Sequence, residues 1–241
     1  MYRIALKIAA ATLICLSHAH AQTKPLPDSL IDLTSPEGQS LLIGAEANND
    51  YFPLSIHFTT QDNPAYCGPA TIAMVLNALN VPRPASKMTL GLGMFDQKNI
   101  FTPAAASVKP AEAIVNPPYG MTLDELGGVF AAHDLDVNIV HAADSDPDTF
   151  RQTAIDLLEK DDNFVIVNYL RKSIGQETGG HHSPLAAYDE DTDRFLILDV
   201  ARYKYPPVWV DAATLFDAMN TVDKDNDGKT RGYLTVSRNL Q

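Results

Sequence analysis

The chain has 241 residues, of which 45% are hydrophobic and 20% charged, so it is long enough to bury a sizeable core. Its formal net charge is -12, and a surface of that sign repels phosphate backbones and anionic lipids. Nucleic acid and membrane surfaces are therefore not expected as partners.

The N-terminus has the pattern of a secretory signal peptide. Basic residues precede the apolar stretch IAAATLICL, and Ala19 and Ala21 fit an A-x-A cleavage site. The stretch is too short to cross a bilayer, and the residue before Cys15 is not small, as a lipid-anchoring site would require. We expect residues 1–21 to be removed and residues 22–241 to form one domain, periplasmic or secreted and free of the membrane.

Removal of that segment leaves Cys67 as the last cysteine of the chain. An exported protein with one cysteine cannot form an internal disulfide, and an exposed thiol is prone to oxidation. Cys67 is therefore either buried and inert or retained for its reactivity.

Helices are predicted to dominate the first half of the chain. The leading polar segment predicts one short helix around residues 38–45, and FPLSIHFTTQ favours a strand or an extended approach. After Cys67, apolar residues recur at helical spacing in GPATIAMVLNAL, with Pro69 in the first turn. Pro82 ends this helix, and residues 84–119 indicate short helices and loops.

Antiparallel strands are predicted to dominate the second half. Thr122 caps the helix TLDELGGVFAAHDL, with Glu125 completing a capping box, and Ser145 or Asp146 caps an amphipathic helix. Strands follow at VNIVHA, NFVIVNYL and GYLTVSR, with a hairpin in HSPLAAYDEDTDRFLILDVARY and a helix at DAATLFDAMNTVD. Helices followed by antiparallel strands indicate an α+β fold in one domain.

These elements bring together a set of residues suited to nucleophilic chemistry. A cysteine at the start of a helix experiences the positive end of the helix dipole, which favours its thiolate. The hairpin offers His181 as a base and Asp199, in the returning strand, as the group that orients it. Gln61 precedes Cys67 on the approach segment, where its amide and the Cys67 backbone N–H suit an oxyanion.

Three blocks of the sequence resemble one enzyme family. The blocks QDNPAYCGPATIAMVLNALNV, NYLRKSIGQETGGHHSPLAAY and LILDVARYKYPPVWV resemble the catalytic half of phytochelatin synthases, most closely the short bacterial members without the Cys-rich half. The resemblance covers roughly Tyr51 to Arg238, with the blocks in the family's order. It implies a papain-like fold in which Cys67 is the nucleophile, His181 the base, Asp199 the orienting group and Gln61 the oxyanion-hole residue.

The resemblance also implies the chemistry. The thiolate cleaves the Cys–Gly amide of glutathione, leaving a γ-glutamylcysteinyl thioester that passes to water or to a second glutathione. Asn168, Arg171 and Arg231 are the expected contacts of the γ-glutamyl group, whose carboxylate needs fixed cations. No tightly bound cofactor is implied; Cd- or Zn-type ions would enter as glutathione thiolate complexes, and a homodimer is implied by the family alone.

Two other functions compete with this interpretation. The Q…YCGPAT pattern also resembles leader-cleaving bacterial cysteine peptidases, but NYLRK and LDVARYKYPPVWV do not. A thiol- or metal-binding module without turnover is the second alternative, and the set Gln61, Cys67, His181 and Asp199 argues against it.

Adjacent histidines and one acidic loop need separate consideration. The block match favours His181 over His182 as the base. Neighbouring side chains on a strand point to opposite faces, which disfavours a zinc site shared by Cys67 and both histidines. The loop DKDNDG imitates half an EF-hand, but Leu234 stands where the bidentate Glu should be, so a polar turn is predicted and no metal site is assigned.

Overall fold

The computed structural model describes residues 23–86, 90–177 and 179–239. The predicted signal peptide lies outside these residues. In the part of the chain that is described, no helix is long and apolar enough to cross a membrane.

Helices and short strands alternate unevenly along the chain. The helices are α1 (Pro36–Gly44), α2 (Tyr51–Ile56), α3 (Cys67–Ala78), α4 (Pro103–Val108), α5 (Ala111–Ile114), α6 (Leu123–Ala131), α7 (Pro147–Leu158) and α8 (Ala212–Met219). The strands are β1 (Ile31–Asp32), β2 (Leu135–His141), β3 (Asn163–Leu170), β4 (Gly180–Asp189), β5 (Arg194–Ile197), β6 (Val208–Asp211) and β7 (Gly232–Arg238).

The strands form one sheet of seven in the order β1-β6-β5-β4-β3-β7-β2, and every neighbouring pair is antiparallel. Residues of β3 alternate between two hydrophobic clusters, with Phe164 and Ile166 in one and Val165 and Val167 in the other. Helices α3 and α6 cover the first face, and α7 and α8 cover the second. The fold is therefore a mixture of helices and an antiparallel sheet, as the α+β prediction states.

Several predicted element boundaries are confirmed. Helix α3 begins at Cys67, and all of its residues are buried. Thr122 and Glu125 form the predicted capping box of α6. Asp146, rather than Ser145, caps α7, because its carboxylate accepts the N–H groups of the first turn.

Two local predictions are wrong. The stretch FPLSIHFTTQ, predicted as a strand or an extended approach, is helical in its first part, which lies in α2, where Pro53 occupies the first turn and restricts the backbone to helical φ. Its second part, residues 58–61, lies outside the helices and strands. Asp199 does not lie in the returning strand, because β5 ends at Ile197. Asp199 therefore lies in the loop that follows β5, and it is not paired with a residue of a neighbouring strand.

Gly232 opens β7 at a point where no side chain fits. A Cβ placed on Gly232 would lie 2.0 Å from the Val140 carbonyl oxygen of the neighbouring strand β2. This close approach fixes the backbone directly after Arg231.

We expect Gly232→Ala to lower the free energy of unfolding by about 1–3 kcal/mol, because the backbone of β2 cannot give way as a side chain would. Gly44→Ala is the matched control: its Cβ would meet nothing within 4 Å. As a helix substitution it should raise stability by about 0.5–1 kcal/mol. Urea unfolding followed by circular dichroism measures both, and equal stabilities would contradict the packing argument.

Candidate active site

Cys67 lies at the first position of α3, against the start of β4. The backbone N–H groups of His182 and Gly68 lie near its sulfur and lower the pKa of the thiol. The Thr71 hydroxyl donates to the His182 carbonyl oxygen at 3.3 Å and ties the helix to the strand. Burial raises the pKa of the Cys67 thiol, and these N–H groups and Arg171 act in the opposite direction without overturning that effect. The pKa of the Cys67 thiol therefore stays above its usual value, because the N–H groups only partly offset burial. The sequence alone predicts the opposite, a lowered pKa that favours the thiolate.

His181 and Asp199 form a buried hydrogen-bonded pair. His181 Nε2 lies 2.9 Å from Asp199 Oδ1 and 3.1 Å from the Ser183 hydroxyl oxygen. Because a carboxylate only accepts, Nε2 carries the ring proton. Both hydrogen bonds of this ring use Nε2, so Nδ1 is the nitrogen left to exchange a proton with a thiol.

His181 is neutral at physiological pH. Burial lowers its pKa to about 4, Arg171 adds to that effect, and Asp199 opposes it. A neutral imidazole can accept a proton, which is what a base beside a protonated thiol requires.

Arg171 lies behind this pair rather than in a substrate cleft. The side chain is buried, and Nη2 donates to Asp199 Oδ1 at 2.8 Å. Nη1 donates to Gln176 and lies 2.8 Å from Asp199 Oδ2 without hydrogen-bond geometry, which leaves Oδ2 without a hydrogen-bond partner. Arg171 and His181 together hold the pKa of Asp199 well below its usual range, although burial alone would raise it.

A cleft of about 760 Å³ opens beside the thiol. Among the predicted residues, Cys67, Asn168 and Arg231 lie on its wall. Arg171, which the resemblance implies as a substrate contact, is absent from that wall. Carboxylates and apolar side chains that the sequence analysis did not assign also line it: Glu125, Asp223, Asp225, Met121, Val115 and Tyr119.

Several buried polar atoms along the cleft have no hydrogen-bond partner within the described residues. These atoms are Asn168 Oδ1, His182 Nδ1 and Arg231 Nε. The other ends of these groups are fixed: His182 Nε2 lies 2.8 Å from the Met121 carbonyl oxygen and 3.1 Å from the Asn168 amide nitrogen. Buried polar groups are normally satisfied, so these three unpartnered atoms give the cleft a polar lining.

Arg231 and Asp223 place a positive and a negative charge next to each other on the wall of the cleft. Arg231 Nη1 donates to the Val222 carbonyl oxygen at 2.8 Å, and Nη2 lies 3.5 Å from Asp223 Oδ1. The absence of a side chain at Gly180 leaves room for the guanidinium, since a Cβ there would lie 3.1 Å from Arg231 Nε. The acidic loop predicted as a polar turn therefore contributes carboxylates to the cleft. In the described ranges, no cluster of His, Cys, Asp and Glu is arranged to hold a metal ion.

Gln61 is buried close to this centre, but its amide is already engaged. Its Nε2 donates to the Asn63 carbonyl oxygen at 2.7 Å and to the Tyr203 hydroxyl at 3.1 Å. Its backbone N–H donates to Val200 in the loop after Asp199. Sequence reasoning missed Tyr203, although this residue lies inside the block LDVARYKYPPVWV on which the family resemblance depends.

Comparison with known proteins gives a consistent result. A family model described as phytochelatin synthase matches residues 21–233. Glutathione gamma-glutamylcysteinyltransferase 3 of Lotus japonicus is 35% identical over 211 residues, which is 86% of this chain and 42% of that protein. Glutathione gamma-glutamylcysteinyltransferase 1 of Arabidopsis thaliana is 30% identical over 228 residues, 93% of this chain and 45% of that protein.

A relative from Schizosaccharomyces pombe, named glutathione gamma-glutamylcysteinyltransferase, is 30% identical over 216 residues, 88% of this chain and 50% of that protein. The chain therefore spans half or less of the length of the curated relatives it matches.

We expect Arg171→Met to raise the pKa of the Cys67 thiol further, because the Arg171 guanidinium is a cation that lowers it. The pH dependence of Cys67 alkylation by iodoacetamide, followed by peptide mass spectrometry, should move to higher pH. Loss of the ion pair with Asp199 should also lower the free energy of unfolding by about 3–5 kcal/mol.

The control for this experiment is Arg194→Met, which removes a guanidinium bonded to the Ser29 carbonyl oxygen on the surface. It should leave the alkylation profile of the wild type unchanged. If the pH midpoint of alkylation in Arg171→Met equals that of the wild type or lies below it, Arg171 does not lower the pKa of the Cys67 thiol.

Proposed function

The chain belongs to the phytochelatin synthase family, and from that premise we propose that it cleaves the Cys–Gly amide of glutathione through a thioester on Cys67. The γ-glutamylcysteinyl group then passes to water or to a second glutathione. The observation that carries the proposal is that Cys67 lies on a polar cleft and its thiol interacts electrostatically with Asp199 and Arg171, the buried charges that also surround His181.

The charges of the cleft match the γ-glutamyl end of glutathione. That end carries an α-carboxylate and an α-ammonium on the same carbon, so it needs a cation and an anion side by side. Arg231 lies on the wall of the cleft and can bind the carboxylate, and Asp223 and Asp225 can bind the ammonium. The spare Oδ1 of Asn168 can accept an N–H of the substrate backbone.

The first step forms the carbon–sulfur bond. His181 Nδ1 takes the thiol proton, and the Cys67 sulfur attacks the carbonyl carbon of the substrate's cysteine residue. The π electrons of the carbonyl move to its oxygen, which becomes an oxyanion. The backbone N–H of Cys67 has no partner within its own helix and can donate to this oxygen, on the side of Gln61.

The second step breaks the carbon–nitrogen bond. The oxyanion collapses, the glycine nitrogen takes the proton from His181, and glycine leaves. The γ-glutamylcysteinyl group stays on Cys67 as a thioester. Asp199 and Arg171 keep the imidazole oriented through both proton transfers, because Nε2 remains bonded to the carboxylate.

The third step returns the enzyme to its starting state. His181 removes a proton from water or from the α-amine of a second glutathione. The water oxygen or the amine nitrogen attacks the thioester carbonyl carbon. The carbon–sulfur bond breaks and the sulfur recovers the proton from His181. Water gives γ-glutamylcysteine, and glutathione gives a chain longer by one γ-glutamylcysteine unit.

Four further expectations belong to this proposal. A helix that carries Cys67 at its N-terminus, packed on an antiparallel sheet that presents His181, supports a papain-like fold. Residues 22–241 would form one catalytic domain, exported to the periplasm or secreted after loss of residues 1–21. Homodimer formation follows from the family, and Cd- or Zn-type ions would act as thiolate complexes of the substrate.

A leader-cleaving cysteine peptidase is the alternative within the enzymes. Such an enzyme needs a groove for an extended peptide. The cleft beside Cys67 instead places Arg231 and Asp223 together at one end, an arrangement suited to a small zwitterion.

We expect the purified protein to release glycine and γ-glutamylcysteine from glutathione, and Cys67→Ser to lower the rate by at least about 10³-fold, because the serine hydroxyl is not activated here. Mass spectrometry separates the dipeptide from longer chains, with and without Cd²⁺. No glycine from the wild type, or an undiminished rate in Cys67→Ser, would contradict the proposal.

We expect Arg231→Gln to raise KM for glutathione about 10- to 100-fold with little change in kcat, because it removes one charge-assisted hydrogen bond of about 1.5–3 kcal/mol. Steady-state kinetics of glycine release measures this. Arg151→Gln, which removes a guanidinium paired with Asp148 and Asp193 outside the cleft, should keep the wild-type KM. If Arg231→Gln keeps the KM of the wild type, Arg231 does not bind the α-carboxylate of glutathione.

A further inference from the structure

Ser183 carries a buried hydroxyl that has no role in the proposed steps, and it contacts the His181 ring. The two residues lie two positions apart on β4, so their side chains point to the same face of the sheet. The Ser183 oxygen lies 3.1 Å from His181 Nε2, and Ser183 has no exposed surface. The Nε2 edge of the ring therefore meets this hydroxyl rather than solvent.

The neighbours of Nε2 decide which group donates in this contact. Nε2 also lies 2.9 Å from Asp199 Oδ1, and a carboxylate oxygen only accepts. If the Ser183 O–H donated to Nε2, that nitrogen would carry no proton and would face Oδ1 as one acceptor against another. Nε2–H is therefore the donor, and it is shared between Asp199 Oδ1 and the Ser183 oxygen as a three-centre hydrogen bond.

A second donor holds the Ser183 oxygen in place. The Val200 N–H donates to it at 3.4 Å, from the loop that carries Asp199. A hydroxyl oxygen has two acceptor positions, and the N–H groups of Val200 and His181 use both. Ser183 therefore connects the strand of the base to the loop of the orienting carboxylate.

The Asp199 carboxylate is shared among several donors, so it is not reserved for the ring. Its Oδ1 accepts from Arg171 Nη2 and from the Ala201 N–H, each at 2.8 Å, in addition to His181. The Arg171 cation also disfavours a positive charge on the neighbouring imidazole. A second, neutral acceptor therefore helps to stabilise the imidazolium that forms when Nδ1 takes the thiol proton, since hydrogen bonds from a charged donor are about twice as strong.

We propose that Ser183 is a positioning residue of this chain: its hydroxyl oxygen accepts the Nε2–H of His181 beside Asp199, which keeps the ring proton on Nε2 and leaves Nδ1 to take the thiol proton. This inference rests on the proposed function, in which His181 is the base. Ser183 is not part of the wall of the cleft. Its loss should therefore slow proton transfer and leave substrate binding as it is.

Steady-state kinetics of glycine release from glutathione tests this role by comparing Ser183→Ala with the wild type. The variant removes one oxygen atom and should lower kcat about 10-fold, with KM within about twofold of the wild type. A kcat above about half of the wild-type value contradicts the inference. So does a higher KM with unchanged kcat, which would make Ser183 a binding contact.

The matched control is Ser145→Ala, which removes the same atom elsewhere in the chain. Ser145 precedes the cap of α7, and its buried hydroxyl has no hydrogen-bond partner within the described residues. Its kcat and KM should stay within about twofold of the wild type, because no hydrogen bond is lost. If Ser145→Ala loses as much kcat as Ser183→Ala, the loss does not come from the contact with His181, and the inference fails.

The pH dependence of kcat/KM separates this role from a loss of packing. Burial, Arg171 and His182 lower the pKa of His181 to about 4, and Asp199 opposes them. The base must be neutral, so activity falls as the pH drops through this value. Ser183→Ala removes an acceptor that stabilises the protonated ring, so the acid fall should move to lower pH. A less stable fold would move the acid fall to higher pH, and that result would overturn the inference.

A spectroscopic measurement does not depend on catalysis. In protein prepared with isotope-labelled histidine, nuclear magnetic resonance shows which ring nitrogen of His181 carries the proton, and the signal is assigned by its loss in His181→Gln. In the wild type the proton should lie on Nε2. In Ser183→Ala the Nε2 proton should resonate upfield of its wild-type position, because one of its two acceptors is gone. An unchanged Nε2 signal contradicts the inference.

The outcomes separate the two proposals. If the wild type releases no glycine, the proposed function fails and the inference fails with it. If the wild type is active and Ser183→Ala keeps its kcat, its acid fall and its Nε2 signal, only the inference fails.

Discussion

The buried carboxylate of Asp199 connects three separate parts of the chain. It accepts from Arg171 in the turn after β3, from His181 in β4 and from the Ala201 N–H in its own loop. A single buried charge would be strongly unfavourable, and the adjacent guanidinium compensates it so that the centre carries no net uncompensated charge. Because each partner comes from a different segment, the geometry of the site depends on this one group being ionised.

The two members of this ion pair act in opposite directions on the pKa values of His181 and Cys67. Arg171 lowers the pKa of both His181 and Cys67, while Asp199 acts on both in the opposite direction. Burial dominates in each case: it keeps the imidazole neutral and the thiol protonated. Both groups are therefore neutral at rest, with the thiol protonated. In the proposed mechanism, charge would develop only when the proton moves to Nδ1.

Local sequence signals predicted the parts of the fold that local interactions determine. The helix that starts at Cys67, the capping box of Thr122 and Glu125, and the strands of the second half all follow from spacing and short-range hydrogen bonds. Sequence could not place Arg171, because whether a guanidinium turns to a cleft or to a buried carboxylate depends on contacts across the sheet. Nor could it detect the bond between Gln61 and Tyr203, which joins two loops far apart in the chain.

The neighbouring residues His181 and His182 show how one strand end serves two purposes. Their rings point to opposite faces of the sheet: His181 packs at 5.7 Å against the Tyr169 ring and bonds Asp199, while His182 meets Asn168 on the cleft wall. The N–H of the peptide between them lowers the pKa of the Cys67 thiol. In the proposed function, proton transfer and substrate contact would thus lie on opposite faces of one strand. A change at His182 should therefore alter the shape of the cleft without altering the bond between His181 and Asp199, because the two rings share no hydrogen-bond partner.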